Sequence, residues 1–418
     1  MYLSRHIEKS LREAVKQFPA VALSGSRQTG KSTLLKEVLG DQFDYVSLDD
    51  LALRNQAKKD PQTFLRNYPD PLIIDEVQYA PELFSEIKRR VDDSNEPGQF
   101  ILSGSQQFHL IRNLQESLAG RVLLMNLMPM TPHERCGMGG TNHWLISLLK
   151  EGRLDRSSFS HFAIEKTPNQ LIRHGGLPGL LNKTDPFFGA YFDSYLRTYI
   201  ERDIPLMIQL ENSSKMIEFL QLLAPLSMRE LNKSQLGRDI GLSSPSANRW
   251  VQVLEASGVW HTISAFHGNL IKRIAKTPKG VLFDTGLICH LLQIGSRESL
   301  LTHPMLGLLF ESAFFHEIKA VICSSLLHAR IYHWRMNQRE VDLVVESEGK
   351  LFAFECKWNG ALRGDEHRHL LHFRKEYGDR VVFCAVVTST GTFRELESGV
   401  FQLPWVLLEK KLTSKSSV

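Results

Sequence analysis

The sequence of 418 residues has few cysteines and no long apolar run. Its five cysteines are scattered and none forms a Cys-x-x-Cys pair, which argues against a zinc site built on cysteine pairs and against a disulfide framework. No apolar run approaches the roughly 18 residues that span a bilayer. The charged N-terminus lacks the hydrophobic core of a signal peptide. We therefore expect a protein of the reducing cytoplasm that has no membrane contact.

The charge balance excludes little. The formal net charge is +4 at pH 7, and a mildly basic chain permits nucleic-acid binding without requiring it. The hydrophobic and charged fractions are those of ordinary soluble globular proteins. A chain of this length is expected to form about three domains, and no fixed-period repeat divides it.

The stretch GSRQTGKST, residues 25–33, has the spacing of a phosphate-binding loop and lies between a strand-like and a helix-like segment. Gly25 and Gly30 permit turns that a Cβ atom would block. Backbone N–H groups and the helix N-terminus then face a phosphate. Lys31 can reach the β- and γ-phosphates, and the Ser32 hydroxyl can bind magnesium. The predicted site for ATP and Mg²⁺ comprises Gly25, Ser26, Arg27, Gln28, Thr29, Gly30, Lys31, Ser32 and Thr33.

Two carboxylates follow the apolar segment PLII, residues 71–74. This pattern predicts a buried strand that ends at Asp75 and Glu76, and open α/β sheets bind ligands at such strand ends. Asp75 can hold magnesium, directly or through water, and Glu76 can orient or deprotonate the attacking water. The alternative is an ion pair at the strand end, but the preceding phosphate-binding loop favours a functional pair.

Strand and helix signals alternate from residue 1 to about 130, which predicts a mostly parallel sheet with covered faces. Together with FILSGS and LAGRV, these motifs resemble an AAA-type ATPase of a prokaryotic group that carries a C-terminal domain of unknown function. The resemblance implies that Ser105 is a polar sensor beside the γ-phosphate. It also implies that Arg121 acts on a neighbouring subunit of a homo-oligomer, with Arg27 and Arg112 as rival arginines.

Residues 231–260 have the pattern of a helix-turn-helix. Its second helix has a buried stripe and an outward face; the stripe comprises Ala247, Trp250, Val251 and Leu254, and the face comprises Ser246, Asn248, Arg249 and Gln252. The following segment predicts a two-stranded wing whose cations could contact DNA phosphates, namely Lys272, Arg273, Lys276 and Lys279. The alternative is a winged helix that binds only protein or a neighbouring domain.

Two predicted strands near the C-terminus bring Asp342 beside Glu355 and Lys357. Carboxylates that hold Mg²⁺ and a lysine that steadies negative charge are suited to phosphodiester cleavage. Glu311, on an upstream helix, could add a further carboxylate ligand. The spacing resembles the restriction-endonuclease-like superfamily, and the resemblance implies a nuclease triad of Asp342, Glu355 and Lys357 supported by Glu311. An active nuclease, a nuclease fold retained for binding and an interstrand salt bridge all remain open.

The sequence thus predicts an α/β protein with four parts. They are a parallel-sheet P-loop ATPase domain of the AAA type (1–135), a linker and helical region (136–215), a winged helix-turn-helix (216–290) and a restriction-endonuclease-like α/β domain (300–410). The predicted function is ATP hydrolysis coupled to a DNA-associated, nuclease-like domain. The alternative is a signalling or scaffold ATPase that switches protein partners and carries an inert C-terminal domain.

Overall fold

The computed structural model describes residues 2–405 except 95, 105–117, 155–166, 205–207, 209–212, 270, 272, 274–275 and 363. Within this described part, no helix is long and apolar enough to cross a membrane. The predicted sensor Ser105, the rival arginine Arg112 and the wing residue Lys272 lie outside the described residues.

A five-stranded sheet forms the N-terminal region, in the order β2-β3-β4-β1-β5. Its strands are β1 (Ala20–Ser24), β2 (Asp44–Ser47), β3 (Leu72–Asp75), β4 (Phe100–Gly104) and β5 (Val122–Asn126). Every neighbouring pair is parallel, which confirms the predicted parallel sheet. Because β4 lies between β1 and β3, the ends of all three strands meet at one edge of the sheet.

Helices cover both faces of this sheet. They are α1 (Ile7–Val15), α2 (Lys31–Leu39), α3 (Leu51–Lys59), α4 (Pro61–Asn67) and α5 (Leu83–Ser94). Alternate residues of β1 enter opposite cores: Ala20 and Ala22 pack with α4 and α5, while Val21 and Leu23 pack with α1 and α2. Buried parallel strands of this kind need apolar residues on both faces, which explains the continuous apolar run in β1.

The middle region is mostly helical. Its helices are α6 (Pro132–Arg135), α7 (Trp144–Glu151), α8 (Pro168–His174), α9 (Pro186–Thr198), α10 (Ser213–Leu223), α11 (Lys233–Asp239), α12 (Ser244–Ala256), α13 (Thr285–Leu291) and α14 (Arg297–Thr302). A three-stranded antiparallel sheet, ordered β6-β8-β7, comprises β6 (Arg229–Glu230), β7 (Trp260–Ile263) and β8 (Lys279–Leu282). In the predicted buried stripe of α12, Ala247, Val251 and Leu254 are buried, whereas Trp250 is partly exposed against Phe219.

The C-terminal region contains a six-stranded mixed sheet ordered β13-β14-β12-β11-β10-β9. Its strands are β9 (Ala329–Met336), β10 (Arg339–Ser347), β11 (Lys350–Lys357), β12 (Val381–Thr388), β13 (Arg394–Glu397) and β14 (Val400–Pro404). Two helices, α15 (Leu306–Ser325) and α16 (Arg368–Tyr377), pack on opposite faces. The predicted α/β character of this region is confirmed.

Between β7 and β8, the described residues Ala265, Phe266 and Arg273 contact the C-terminal sheet, whereas a wing free to bind DNA would extend into solvent. Ala265 bridges His333 of β9, and the backbone N–H of Phe266 donates to the His333 carbonyl at 2.6 Å. Arg273 pairs with Glu346 of β10 at 2.8 Å, and its guanidinium lies 4.3 Å from the centre of the Phe266 ring. The segment therefore packs on the C-terminal sheet.

The predicted phosphate contacts of the wing are accordingly corrected. Arg273 is occupied by its ion pair, and Lys276 Nζ donates to the carbonyl of Arg335 at 2.7 Å. Lys279 is only 4% exposed, because it lies at the start of β8 against buried carboxylates. A buried ammonium cannot reach a DNA phosphate, so the sequence pattern misassigned this residue.

One apolar core joins the middle region to the C-terminal sheet. It extends from Trp144 on α7 to Trp405 after β14. The Trp144 ring stacks on Phe314 of α15 at 6.3 Å, and Phe310 meets Trp405 edge to face at 5.5 Å. The segment predicted to contain a linker thus includes a buried helix, and the two regions share their packing.

Glu317 of α15 is the centre of a buried polar joint. Its carboxylate accepts from His143 Nε2 at 2.7 Å and from the indole N–H of Trp405, while His133 Nδ1 lies 3.5 Å away. Among the described residues, Glu317, His133 and His143 also form a group of possible metal ligands, because their ligand atoms all lie within 4.8 Å of one another. The Nδ1 atom of His143 accepts from the backbone N–H of Leu145, so Nε2 carries the proton that Glu317 accepts. This tautomer fits a hydrogen-bonded joint better than a metal ligand.

Burial, with a further contribution from neighbouring His133, lowers the pKa of His143 to about 3. Because the folded pKa is below the unfolded value near 6.5, the unfolded state binds more protons as the pH falls below that value. We expect the unfolding free energy to fall from pH 7.5 to pH 5, with His143 contributing about 2 kcal/mol of the loss. Urea unfolding midpoints at both pH values measure it. His143→Gln should show a smaller fall, and an equal fall in both proteins would contradict this role.

Candidate functional site

The loop between β1 and α2 curls as a phosphate cradle requires. Gly30 has a left-handed backbone with φ of 94°, immediately before α2 begins at Lys31. At Gly25 a Cβ atom would lie 2.4 Å from the carbonyl oxygen of Leu127, closer than any side chain could fit. Both positions therefore need glycine, and the first N–H groups of α2 face the enclosed loop.

Lys31 is buried, and its ammonium closes the loop on itself. Nζ donates to the carbonyl of Gly25 at 2.8 Å and to that of Ser26 at 3.0 Å. The Thr29 hydroxyl also donates to the Ser26 carbonyl at 2.9 Å. The ammonium lies at the mouth of the loop, where a phosphate oxygen could replace these carbonyls.

An arginine ahead of α1 fixes the outside of the loop, and sequence analysis missed it. Arg5 is 4% exposed; its guanidinium donates to the carbonyls of Thr29 at 2.9 Å and Met128 at 2.7 Å. Glu134 lies 3.1 Å from Arg5 Nε. Arg5 matches no motif, so only the tertiary fold reveals that this charge supports the nucleotide loop.

The middle region contacts the loop at two points. The Ser26 hydroxyl donates to the carbonyl of Gly258 at 2.8 Å. Gly258 belongs to the turn that joins α12 to β7. Pro178 lies on the other side, because a Cβ atom at Gly30 would be 3.5 Å from its Cγ. A phosphate bound in this loop would therefore lie beside a second region of the protein.

Asp75 and Ser32 meet through Tyr45, which the sequence analysis did not single out. Tyr45 lies on β2, beside β3, and its hydroxyl donates to Asp75 Oδ2 at 2.5 Å, with the Ser32 side chain near enough to act on the pKa of this phenol. Burial and the hydrogen bond to Asp75 raise the pKa of Tyr45, so the phenol stays protonated. The Ser103 hydroxyl donates to the other Asp75 oxygen. A hydroxyl and a carboxylate are oxygen ligands of the kind that Mg²⁺ accepts, so these residues fit the ion.

Glu76 leaves the strand in a left-handed conformation, with φ of 56°. Non-glycine residues rarely adopt this conformation, and it occurs at functional sites where the surroundings hold it. The Gln78 amide donates to the Glu76 carboxylate. The turn separates the half-buried Glu76 side chain from buried Asp75, as two different roles require.

The predicted C-terminal residues form a second site. Strands β10 and β11 are antiparallel, and Asp342 stands opposite Glu355, one step from the Leu343–Phe354 pair. The backbone N–H of Cys356 donates to Asp342 Oδ2 at 2.7 Å, and Lys357 Nζ donates to Glu355 Oε1 at 2.8 Å. Among the residues that the structure describes, Glu355 Oε2 is buried without a hydrogen-bond partner. Such an oxygen fits a bound cation, because an unsatisfied buried carboxylate oxygen is costly.

Glu311 of α15 also reaches this site, together with a lysine from the middle region. Lys279 Nζ lies 3.1 Å from Glu311 and 2.6 Å from Glu340. Glu340 was not predicted to belong to this site, and Lys279 was predicted to contact DNA instead. Glu340 is two residues before Asp342 on β10, so a search for further acids near the motif could have found it.

Negative charge is in excess at this site. Burial raises the pKa of Glu355 to about 8, and the nearby Asp342 carboxylate adds to the rise. Burial and the Asp342 charge likewise raise the pKa of Glu311, and burial raises that of Asp342. Carboxyl groups that resist ionisation together are stabilised by a cation placed among them.

Comparison with known proteins divides the chain into three matched segments. Residues 17–136 match a family model described as an AAA domain. Residues 17–136 form an AAA-type P-loop ATPase domain. Residues 165–298 match a domain of unknown function (DUF8612), and residues 306–408 match another (DUF4143). The predicted combination of an AAA-type ATPase with a C-terminal domain of unknown function is confirmed, while the restriction-endonuclease-like assignment stays a prediction.

Two curated relatives are similar over most of the chain. They are the uncharacterized proteins Rv2008c of Mycobacterium tuberculosis and Mb2031c of Mycobacterium bovis, each 28% identical over 350 residues, or 83% of this chain and 72% of the relative. Among solved structures, the Walker-type ATPase PABY2304 of Pyrococcus abyssi is 14% identical with a TM-score of 0.43, covering 70% of this chain and 98% of its own. The Thermotoga maritima RuvB Holliday junction branch migration motor is 16% identical with a TM-score of 0.29, covering 61% and 88%.

Arg121 of the AAA domain is partly exposed and paired with Asp92 of α5, at 3.1 Å between Nη2 and Oδ2. The action of Arg121 on a neighbouring subunit stays a prediction. To act in this way, Arg121 would have to leave its pair with Asp92. In the nucleotide loop, Arg27 is partly exposed, and Gln28 and Thr33 are exposed, so these side chains face away from the enclosed loop.

Replacing Tyr45 by phenylalanine should disturb the position of Asp75 relative to Ser32, the two residues that fit Mg²⁺. Tyr45→Phe removes the hydrogen bond to Asp75, so we expect about tenfold weaker binding of ATP with Mg²⁺, since one hydrogen bond to a charged group contributes about 1.5 kcal/mol. Binding of ATP in EDTA should change little. Titration with a fluorescent ATP analogue under both conditions measures the difference. Equal losses with and without Mg²⁺ would contradict the role of Tyr45 in placing the metal ligands.

Proposed function

We propose that the protein binds and hydrolyses ATP in its AAA domain and that the nucleotide state controls a DNA-cleaving site in the C-terminal domain. The observation that carries the coupling is the 2.8 Å hydrogen bond from the Ser26 hydroxyl to the Gly258 carbonyl. It joins the phosphate-binding loop to the middle region, which shares its core with the C-terminal sheet.

The AAA domain supplies each group that hydrolysis needs. Lys31 and the loop N–H groups hold the β- and γ-phosphates. Ser32 and Asp75 would hold Mg²⁺, which when bound neutralises phosphate charge. Glu76, turned out of the strand and held by Gln78, orients the attacking water and takes its proton. The predicted sensor role of Ser105 belongs to the same proposal.

A phosphate in the loop would compete for the contacts that now close it. Lys31 would exchange the carbonyls of Gly25 and Ser26 for phosphate oxygens, and the Ser26 backbone would follow. Because the Ser26 side chain is bonded to the turn before β7, this adjustment is transmitted to the middle region. Binding energy at one site thereby becomes available at the other.

The C-terminal site has the residues for hydrolysis of a phosphodiester. Asp342 and Glu355 would hold Mg²⁺, which when bound polarises the phosphoryl group, and Glu311 would be a supporting carboxylate. Lys357 steadies the developing negative charge. For DNA contact, helix α12 would offer the exposed side chains of Arg249 and Gln252, as the second helix of the predicted helix-turn-helix.

One observation favours a second function, a scaffold ATPase that switches protein partners. Arg273 and Lys279 pair with carboxylates of the protein, and Lys276 donates to a backbone carbonyl, so each of these cations already has a partner. A middle region that uses its cations in this way is suited to transmit nucleotide state between domains. In that case the C-terminal site would be inert.

Removal of the base carboxylate tests hydrolysis. Glu76→Gln keeps the side-chain size, so we expect ATP affinity to stay within about twofold, while turnover falls by at least about 100-fold, as the loss of a general base does. Steady-state phosphate release and nucleotide titration measure the two quantities. Lys31→Ala should lose binding as well. Undiminished phosphate release by Glu76→Gln would remove Glu76 from its proposed role.

Removal of the C-terminal lysine tests cleavage. With plasmid DNA, Mg²⁺ and ATP, we expect Lys357→Ala to nick at least about 100-fold more slowly than the wild-type protein, because it loses the group that stabilises the transition state. Lys350→Ala is the matched control, since Lys350 is an exposed lysine at the other end of β11. If the wild-type protein and both variants nick the plasmid at the same rate, the nicking comes from a contaminant. No nicking by a protein that hydrolyses ATP would favour the scaffold function.

A further inference from the structure

The C-terminal carboxylate site includes a lysine from another part of the chain. Lys279 begins strand β8 of the middle region, 63 residues before Asp342 by their numbers in the sequence. Its ammonium lies between Glu311 and Glu340, at 3.1 Å and 2.6 Å, and it is almost completely buried. The site is therefore assembled from the middle region, α15 and two strands of the C-terminal sheet.

This lysine is held in place by the surrounding fold. Strand β8 pairs with both β6 and β7, and Lys279 itself stands opposite Ile263 and Glu230. The following residues, Val281 and Leu282, enter the core that also contains α15. Because the strand that carries the ammonium and the helix that carries Glu311 share one packed core, their contact is a fixed part of the structure.

The charges at the site are suited to a single divalent cation. Four carboxylates, those of Glu311, Glu340, Asp342 and Glu355, meet two ammonium groups, those of Lys279 and Lys357. Two formal negative charges remain. Lys357 bonds Oε1 of Glu355, and the other oxygen of this carboxylate, Oε2, has no hydrogen-bond partner among the described residues. One half of the acidic site is thus already neutralised by the protein, and the other half offers an oxygen.

We propose that Lys279 is a built-in cation of the C-terminal site, where its ammonium takes the place of one metal ion beside Glu311. The charge of Lys279 weakens divalent-cation binding and confines it to the half of the site formed by Asp342 and Glu355. This inference rests on the proposed metal site and adds its regulation by the middle region. Lys279 repels a second positive charge, so its removal exposes the full charge of the carboxylates.

Calorimetric titration with Mn²⁺, without nucleotide and in mildly alkaline buffer, tests this assignment. We expect Lys279→Met and Lys279→Gln each to bind Mn²⁺ at least about tenfold more tightly than the wild-type protein, because one repelling charge is gone. The glutamine variant can still donate a hydrogen bond to Glu311 or Glu340, so it guards against misfolding of the methionine variant. Lys350→Met removes an exposed lysine from the C-terminal sheet and should leave the affinity for Mn²⁺ unchanged. Thermal unfolding of each variant verifies that it is folded.

The outcomes distinguish this inference from the proposed function. Glu355→Gln should abolish the Mn²⁺ binding of the wild-type protein, which identifies the site. If it does, but both Lys279 variants bind Mn²⁺ equally well or more weakly than the wild type, the role of Lys279 is wrong and the metal site stands. If neither the wild type nor a folded Lys279 variant binds Mn²⁺ in a manner sensitive to Glu355, the metal site fails and this inference with it.

Discussion

The contact between the Ser26 hydroxyl and the Gly258 carbonyl constrains the rest of the molecule. Ser26 of the phosphate-binding loop is buried, and its hydroxyl bonds a turn that lies 232 residues further along the chain. Arg5 and Pro178 confine the same loop from other directions. The loop therefore cannot change shape alone, and the nucleotide site is bound mechanically to the remainder of the chain.

The two polar centres of the C-terminal half use opposite electrostatic solutions. Around Glu317, burial acts to raise the pKa, but the hydrogen bonds from His133 and His143 outweigh it and lower the pKa, so this carboxylate is ionised and satisfied. Around Glu355 and Glu311, burial and the nearby Asp342 carboxylate outweigh the lysine contacts, and the pKa values rise. The first centre holds elements together. The second centre keeps an excess of negative charge, which is typical of sites that act on a ligand.

Local motifs made much of this architecture predictable. The loop of residues 25–33, the strand ending at Asp75 and the hairpin with Asp342 and Glu355 each follow from spacing and strand periodicity, because their residues are neighbours in sequence or in one hairpin. Arg5, Tyr45 and Lys279 could not be found in this way, since each acts across elements that only the tertiary fold brings together. Lys279 was misread for the same reason: a basic residue near a turn resembles a phosphate contact until its burial is known.

The core that extends from Trp144 to Trp405 bears on how the chain is made. The two cores of the AAA domain contain residues no later than Leu127, so they can close while synthesis is still under way. The rings that pack on Trp144 of α7 belong to Phe314 of α15 and Phe354 of β11, which emerge from the ribosome much later. During that interval the apolar face of α7 is exposed to solvent, and a chain that ended before α15 would leave it without these rings.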